Sequence, residues 1–336
     1  MIARARIHAT PGLIGLVFAC GALGACAPGP EAVTEPATSA AAPATAEELV
    51  VDPAASSSSV DIPGARADKA CVHQVPDGAT VGSDGTVKVG GHTVARYSPC
   101  SGSVVPHKRP GQPVDKSRIE DDSAVAFPKG TCPAPHGTCA GFYDGLQDAW
   151  TVPAAPRSNG ALVYLFSALA STDGPTTANA VLQYGGNGLF GGNYWTVSSW
   201  YVTKNNVFHT PPVKVSPGDT VSGGLFGAGC GTSGKCSWQL ASSGPAFPDL
   251  TVAGTTPLTI AYRAVLEAFH VSACDHLPAS GSTVFDFTIA TEPDSAGKGQ
   301  DEIEDVLTWV PAVTSGVTPS CGYAVTDDEF SATLKY

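Results

Sequence analysis

The run Asn179-Ala-Val-Leu-Gln-Tyr-Gly185 sets the amide side chain of Gln183 among residues that favour β-structure. A second run, Arg263-Ala-Val-Leu-Glu-Ala-Phe269, places the carboxyl of Glu267 in the same kind of setting. In a strand, successive side chains point to opposite faces, so Gln183 should face away from Leu182. The two runs therefore predict neighbouring strands of one sheet, from which Gln183 and Glu267 point into one groove.

Strand-like runs recur along the chain from Gly141, separated by clusters of Gly, Pro, Asn and Asp. About 200 residues of closely spaced strands are enough for one large β-sandwich. The composition agrees, because 38 glycines, 28 prolines and one methionine are typical of turn-rich β-structure. Residues 300–307, QDEIEDVL, are the exception and predict a short helical turn. The other predicted strands are Ala161–Phe166, Tyr194–Val202, Val213–Val215, Thr220–Phe226, Leu258–Val271, Thr283–Ile289 and Ala332–Tyr336.

The N terminus has the features of an export signal. Two arginines precede an apolar stretch, Leu13 to Ala19, that is too short to span a bilayer. Residues 1–25 are therefore predicted to be a signal peptide, and Cys26 follows a lipobox-like Leu-Gly-Ala, which predicts lipidation. The alternative is an ordinary cleavage site beside an incidental cysteine. Residues 26–67, rich in Ala, Pro, Ser and Thr, are predicted to form a disordered tether.

Eight cysteines remain once Cys20 leaves with the signal peptide and Cys26 is lipidated, and an even number suits an exported, disulfide-bonded protein. We expect each cysteine to pair with its neighbour along the chain. Zinc binding by residues 132–139, CPAPHGTC, is the alternative, but no second His or Cys pair at finger-like spacing supports it. No metal site is therefore predicted. The expected pairs are Cys71–Cys100, Cys132–Cys139, Cys230–Cys236 and Cys274–Cys321.

Residues 68–140 precede the sandwich as a separate region. Two alternating runs in it, residues 86–89 and 92–97, predict a hairpin closed by the first cysteine pair. The remainder is rich in proline and charge and shows little periodicity. We expect a small accessory region or a propeptide-like segment, followed by the sandwich in residues 141–336.

The net charge of −12 and the pI of about 4.9 argue against nucleic acid and anionic lipid head groups as partners. Contact with a membrane is therefore predicted only through the N-terminal lipid. We expect an exported monomer that is either anchored to the cell envelope or secreted.

Three further motifs surround the two polar runs: Asp148-Ala-Trp-Thr-Val-Pro153, Tyr194-Trp-Thr-Val-Ser-Ser-Trp-Tyr201 and Val215-Ser-Pro-Gly-Asp219. In this order they resemble the secreted glutamic peptidases, the eqolisins, over residues 141–336. The resemblance implies a concanavalin-like or lectin-like antiparallel β-sandwich, whose bent sheets form a concave groove. It also implies that Gln183 stabilises the oxyanion and that Glu267 activates water, with no cofactor.

The family's strand carries two glutamates four residues apart, the catalytic one first, and this chain has Arg263 and Glu267 at those positions. Strand residues four apart share a face but lie about 13 Å apart, so Glu267 does not simply replace a carboxylate at 263. The alternatives are a slipped alignment, a divergent branch that uses Glu267, and a loss of catalysis. Residues 266–269 favour the divergent branch, because they resemble a run in exported bacterial relatives. The structural alternative is an ion pair between Arg263 and Glu267.

The groove is predicted to be lined by Trp195, Trp200, Tyr201 and Arg263. The aromatic residues lie on both faces of one strand, so they also suit a core or a platform for sugar. No motif for serine, aspartic or metal-dependent peptidases, P-loops or dinucleotide sites occurs. The resemblance to the glutamic peptidases thus implies an acid endopeptidase acting on polypeptides. The alternatives are a non-catalytic surface protein that binds polysaccharide or protein, and a structural envelope lipoprotein without a ligand.

Overall fold

Alternating apolar residues form strands through most of the chain that the computed structural model describes. It describes residues 49–51, 59–107, 124–128, 145–171, 176–230, 235–244, 248–258, 260–293, 300–302, 309–313, 318–327 and 331–336. All of these lie in one compact unit, residues 46–336. The predicted signal peptide, Cys26 and the segment Cys132–Cys139 lie outside the described residues.

The described strands are numbered in chain order, and two single 3₁₀ turns, Lys69–Cys71 and Cys274–His276, accompany them. The strands are β1 Leu49–Val51, β2 Ser59–Ile62, β3 Ala65–Asp68, β4 Val72–Gln74, β5 Ala79–Gly82, β6 Thr86–Val89, β7 His92–Tyr97, β8 Val104–Pro106, β9 Ala124–Pro128, β10 Gly145–Thr151, β11 Leu162–Ala170, β12 Thr176–Gly186, β13 Gly191–Val202, β14 Val207–His209, β15 Val213–Val215, β16 Thr220–Cys230, β17 Cys236–Ser243, β18 Leu250–Thr255, β19 Ile260–Phe269, β20 Ser282–Pro293, β21 Gln300–Glu302, β22 Trp309–Ala312, β23 Ala324–Asp327 and β24 Ala332–Lys335. Among the described residues, no helix is long and apolar enough to cross a membrane.

These strands form three sheets. Sheet I has the order β1-β7-β6-β5-β18-β17-β16-β10-β20-β24-β23, with β21 paired to β20. Sheet II has the order β22-β9-β19-β11-β12-β13-β14-β4, with β15 paired to β13. The cover sheet consists of β2, β3 and β8. Pairing is antiparallel except between β1 and β7, β4 and β14, and β5 and β18.

Sheets I and II pack face to face, as the sequence predicted, and form an all-β sandwich. Their inner faces meet in two apolar clusters, one around Trp150 and Leu165 and the other around Trp238 and Leu169. In β11 every residue is buried, because Val163, Leu165 and Leu169 face sheet I while the alternate side chains face the other way. A strand that is covered on both faces reads as a continuous apolar run.

The cover sheet packs on the outer face of sheet II and makes a third layer. Its alternating residues Val60, Ile62, Ala65 and Ala67 are at most 5% exposed and join an apolar cluster with sheet II. The structure thus corrects the expected tether, which was drawn to residue 67. The composition of that segment is typical of a tether. Its last residues nevertheless alternate between apolar and polar side chains, and they form β2 and β3 with the apolar side chains buried.

The strands of residues 68–140 belong to both large sheets. β4 pairs with β14 of sheet II, β5 pairs with β18 of sheet I, and β9 pairs with β19 and β22 of sheet II. The expected hairpin of β6 and β7 is present, and it continues the edge of sheet I. The predicted separation into an accessory region and a sandwich does not describe the packing of these strands.

Two disulfides join cysteines that are consecutive along the chain, Cys71 to Cys100 and Cys274 to Cys321. Cys236 is also disulfide-bonded, and it stands opposite Cys230 between β16 and β17. The helical turn that the sequence predicted from Gln300 is wrong over residues 300–302. These residues form β21 at the edge of β20, since pairing with a neighbouring strand overrides a weak local preference.

Candidate functional site

One row of three polar side chains crosses the middle of sheet II. Tyr164 on β11 stands directly opposite Gln183 on β12 and directly opposite Glu267 on β19. Directly paired residues share a face, so all three point away from sheet I, toward the cover sheet. The sequence predicted that Gln183 and Glu267 lie on neighbouring strands. The structure instead places β11 between them, so their Cα atoms lie about 10 Å apart, two strand spacings.

The carboxylate of Glu267 is 1% exposed and is held by groups from the covering chain. The backbone N–H of Gly64 donates to both oxygens, at 3.1 Å to Oε1 and 2.9 Å to Oε2. His107 Nδ1 lies 3.1 Å from Oε1. The Glu267 carboxylate is therefore contacted by Gly64, in the turn between β2 and β3, and by His107, which follows β8.

The side-chain amide of Gln183 is completely buried, and its hydrogen-bond partners are residues a few positions later in the chain. Its Nε2 donates to the carbonyls of Gly185 at 2.9 Å and Phe190 at 3.2 Å, while Oε1 accepts from Asn187 Nδ2 at 3.3 Å. A Cβ at Gly191 would overlap Nε2, so this tight packing depends on glycine there. Both hydrogens of the amide are donated to protein carbonyls.

Tyr164 completes the row, and sequence reasoning missed it. Its hydroxyl donates to the carbonyl of Asp61 at 2.9 Å and accepts from Asn187 Nδ2 at 3.0 Å. Burial raises the pKa of Tyr164 well above its usual value; the Asn187 contact opposes this, and the nearby Glu267 adds to it. Tyr164 lies inside the predicted strand 161–166, but only the pairing register places it between the other two side chains.

Arg263 does not lie on the face of sheet II that carries Glu267. The expectation that Arg263 shares a face with Glu267 and lines a groove is therefore wrong. Ala264 has a φ of 54° and the register with β11 shifts beside it, which marks a β-bulge between Arg263 and Glu267. A bulge inserts one residue and so reverses the alternation. Arg263 is completely buried and interacts electrostatically with Asp148 on β10, across the sandwich.

The Asp148 carboxyl lies inside the sandwich and accepts a hydrogen bond from Ser167 on β11. Burial raises the pKa of Asp148 to about 7, even though the Ser167 contact and the charge of Arg263 both lower it. This buried cluster faces away from Glu267. The arginine found at the expected place of the family's base therefore belongs to the inter-sheet core.

The three aromatic residues that were predicted to line a groove are core residues. Trp195, Trp200 and Tyr201 are 1%, 0% and 3% exposed. Trp195 and Tyr201 belong to the two clusters between sheets I and II, and Trp200 belongs to the cluster under the cover sheet. Both faces of β13 are covered, so none of them is a platform on an open surface.

His209 stacks on Trp200 at the edge of this site. The ring centroids of His209 and Trp200 are 4.6 Å apart, and those of His209 and Phe190 are 5.0 Å apart. His209 Nδ1 lies 2.8 Å from the carbonyl oxygen of Thr210. Burial lowers the pKa of His209 to about 4, with a smaller lowering from His73 and an opposing contribution from the Thr210 carbonyl. The imidazole is therefore neutral above that pH.

The part of the chain that the structure describes contains no candidate metal site, because no three His, Cys, Asp or Glu side chains lie close together there. The row and its immediate neighbours supply the carboxylate of Glu267, the phenol of Tyr164, the imidazole of His107 and the side-chain amides of Gln183 and Asn187.

Among the solved structures to which this chain is similar is that of SCP-B, a member of the eqolisin family of peptidases, in a complex with the tripeptide Ala-Ile-His. The identity is 12%, the TM-score is 0.34, and the match covers 64% of this chain and 98% of that one. A likeness this distant carries no argument about the site. No protein-family model matches the chain, and no curated protein is similar to it in sequence.

Proposed function

We propose that this chain is an exported acid endopeptidase of glutamic type, with Glu267 as the general base. One observation carries the proposal: Gln183, Tyr164 and Glu267 form a row on one face of sheet II, and peptide main chain already lies against two of them. A general base must lie within hydrogen-bond reach of the water that it activates, and a carboxylate beside a main-chain segment is placed to activate water next to a peptide carbonyl. The disulfides Cys71–Cys100 and Cys274–Cys321 agree with export.

The reaction that we propose is simple hydrolysis. Glu267 takes a proton from water while the water oxygen bonds to the scissile carbonyl carbon, and an amide or hydroxyl donor holds the resulting oxyanion. The C–N bond then breaks, and the proton on Glu267 passes to the leaving amine. A carboxylate acts as a base near its own pKa, so activity belongs at acid pH.

The turn at Pro63 and Gly64 occupies the space above Glu267, so a substrate has to displace it. Ile62→Asp should lift this turn, because Ile62, the last residue of β2, is completely buried between the cover sheet and sheet II, where a polar group without a hydrogen-bond partner costs several kcal/mol. Ile62→Val keeps the apolar contact and is the matched control. The supporting result is cleavage of casein between pH 3 and 5 by Ile62→Asp, with little cleavage by Ile62→Val.

Glu267→Gln, added to Ile62→Asp, keeps the size of the side chain and removes the base. Turnover should fall by a factor on the order of 10² or more. Equal cleavage by the single and double variants would show that Glu267 is not the base. Absence of cleavage by every variant from pH 2 to 7 would refute the peptidase proposal.

A non-catalytic role is the second candidate, and the state of Gln183 favours it. Both hydrogens of the Gln183 amide are donated to Gly185 and Phe190, whereas the oxyanion role implied by the eqolisin resemblance needs one of them. In this case the chain is a surface protein that binds polypeptide or polysaccharide. Binding without cleavage by the Ile62→Asp variant would support it. Lipidation at Cys26 and a monomeric state remain predictions.

A further inference from the structure

A short piece of this chain lies on the polar row as a bound peptide would. The carbonyl of Asp61 accepts from the Tyr164 hydroxyl at 2.9 Å, and the N–H of Gly64, three residues later, donates to Glu267 at 2.9 Å. The covering segment contributes only main-chain atoms to both contacts. These contacts therefore do not depend on the side chains of that segment, so another polypeptide can make them too.

We propose that Tyr164 is the side chain that holds the carbonyl of a polypeptide bound to this face, and that Gln183 positions it through Asn187. The cleavage part of this inference rests on the proposed function, and the binding part does not. Tyr164 would be a catalytic residue, because its hydroxyl touches the reacting carbonyl. Gln183 would be a positioning residue.

The hydrogen bonds around the row assign these roles. Asn187 Nδ2 donates to the oxygen of Tyr164, and a hydroxyl that accepts one hydrogen bond becomes a stronger donor of its own. Asn187 is itself fixed, since its Oδ1 accepts from the N–H groups of Leu189 and Phe190, and its Nδ2 also donates to Gln183. The chain of contacts runs from Gln183 through Asn187 to Tyr164, and it ends on a peptide carbonyl.

The protonation state of Tyr164 agrees with this role. Because burial raises the pKa of Tyr164 well above its usual value, the hydroxyl keeps its proton at every pH at which a carboxylate acts as a base. During attack by water, Tyr164 would donate to the carbonyl oxygen while negative charge develops on it. It would keep its own proton throughout.

The binding test uses a labelled synthetic peptide with the sequence of residues 59–68, SVDIPGARAD, and the full chain carrying Ile62→Asp. Fluorescence anisotropy should show that Tyr164→Phe weakens binding about tenfold, the loss of one hydrogen bond. Tyr184→Phe is the matched control, because it removes a hydroxyl whose partner is Asn159 and which lies on the inner face of the same sheet. Equal affinities of the two variants would overturn the inference.

The catalytic test compares the same variants with Gln183→Leu in the casein assay at acid pH. Tyr164→Phe should lower kcat by a factor on the order of 10², and Gln183→Leu should lower it by less. A Gln183→Leu loss that exceeds the Tyr164→Phe loss would overturn the assignment. If no variant cleaves but Tyr164→Phe still weakens peptide binding, the peptidase proposal fails and the carbonyl-binding role of Tyr164 stands.

A second measurement covers the case in which Ile62→Asp does not fold. In the otherwise unchanged full chain, Tyr164→Phe removes the contact to Asp61, so amide hydrogen exchange in residues 59–68 should become about tenfold faster. Tyr184→Phe should leave it unchanged. Equal exchange in the two variants would show that the Tyr164 hydroxyl does not hold this carbonyl.

Discussion

Acid should destabilise this protein through His209. The folded pKa of His209 is about 4 against an ordinary value of 6.5, because the ring is buried against Trp200 and Phe190. Between these two values the unfolded chain binds a proton that the folded chain does not bind. The stabilisation by the neutral ring is thus complete above pH 6.5 and is lost as the pH falls toward 4. A difference of about 2.5 pKa units corresponds to about 3 kcal/mol.

Urea denaturation at pH 7, 6, 5 and 4 measures this loss, through the free energy of unfolding extrapolated to water. His209→Asn places an amide N–H near the Thr210 carbonyl and removes the titrating ring, so it lowers stability by a constant amount and flattens the pH dependence. From pH 7 to pH 4, the wild type should lose about 3 kcal/mol more than this variant.

His92→Asn is the matched control, because His92 is exposed on β7. It should leave the pH dependence of the wild type unchanged. A second buried histidine, His73, also has a lowered pKa and is present in both the wild type and the His209 variant, so most of its contribution cancels in their difference, apart from its electrostatic coupling to His209. Parallel curves for the wild type and His209→Asn would refute the assignment.

Two further predictions concern the buried cluster and the Gln183 amide. The raised pKa of Asp148, about 7, means that the folded chain keeps a proton that the unfolded chain loses above about 4, so this group lowers stability as the pH rises from 4 to 7. The stability of Asp148→Asn relative to the wild type should rise by up to about 4 kcal/mol over that interval in the same urea measurements, and a constant difference would contradict it. Gly191→Ala should lower the free energy of unfolding by about 2 to 4 kcal/mol. The new methyl group overlaps Gln183 Nε2 and the Gly185 carbonyl, and the φ of residue 191 is 97°. Gly90→Ala, at a φ of 56° with no atom within 4 Å, should cost about 1 kcal/mol in thermal unfolding, and equal losses would show that Gln183 is not closely packed.

Local alternation was enough to predict much of the sandwich and the strands that carry two members of the row, Gln183 and Glu267. The runs at β11, β12, β13 and β19 read as strands, and the pattern around Gln183 correctly predicts that it faces away from Leu182. Alternation fails where an extra residue enters the strand, and the bulge at Ala264 therefore separates Arg263 from the face of Glu267.

The rest of the site depends on contacts between distant parts of the chain. Gly64 and His107 reach Glu267 from more than 150 positions away, and nothing in their own neighbourhood indicates a carboxylate partner. Trp200 was misassigned for the same reason, because the segment that covers it has the composition of a linker. Trp195 and Tyr201 are instead covered by sheet I.

The pairing of β4 with β14 and of β5 with β18 has a consequence for how the chain folds. Ala79 stands beside Leu250, so about half of the chain lies between the two residues of one pair. Closing such a loop loses much chain entropy before any contact compensates for it. Neither large sheet can complete its edge until the end of the chain that is synthesised first meets strands that are synthesised much later. Folding should therefore be slow, and the early strands will need protection from association with other chains in the meantime.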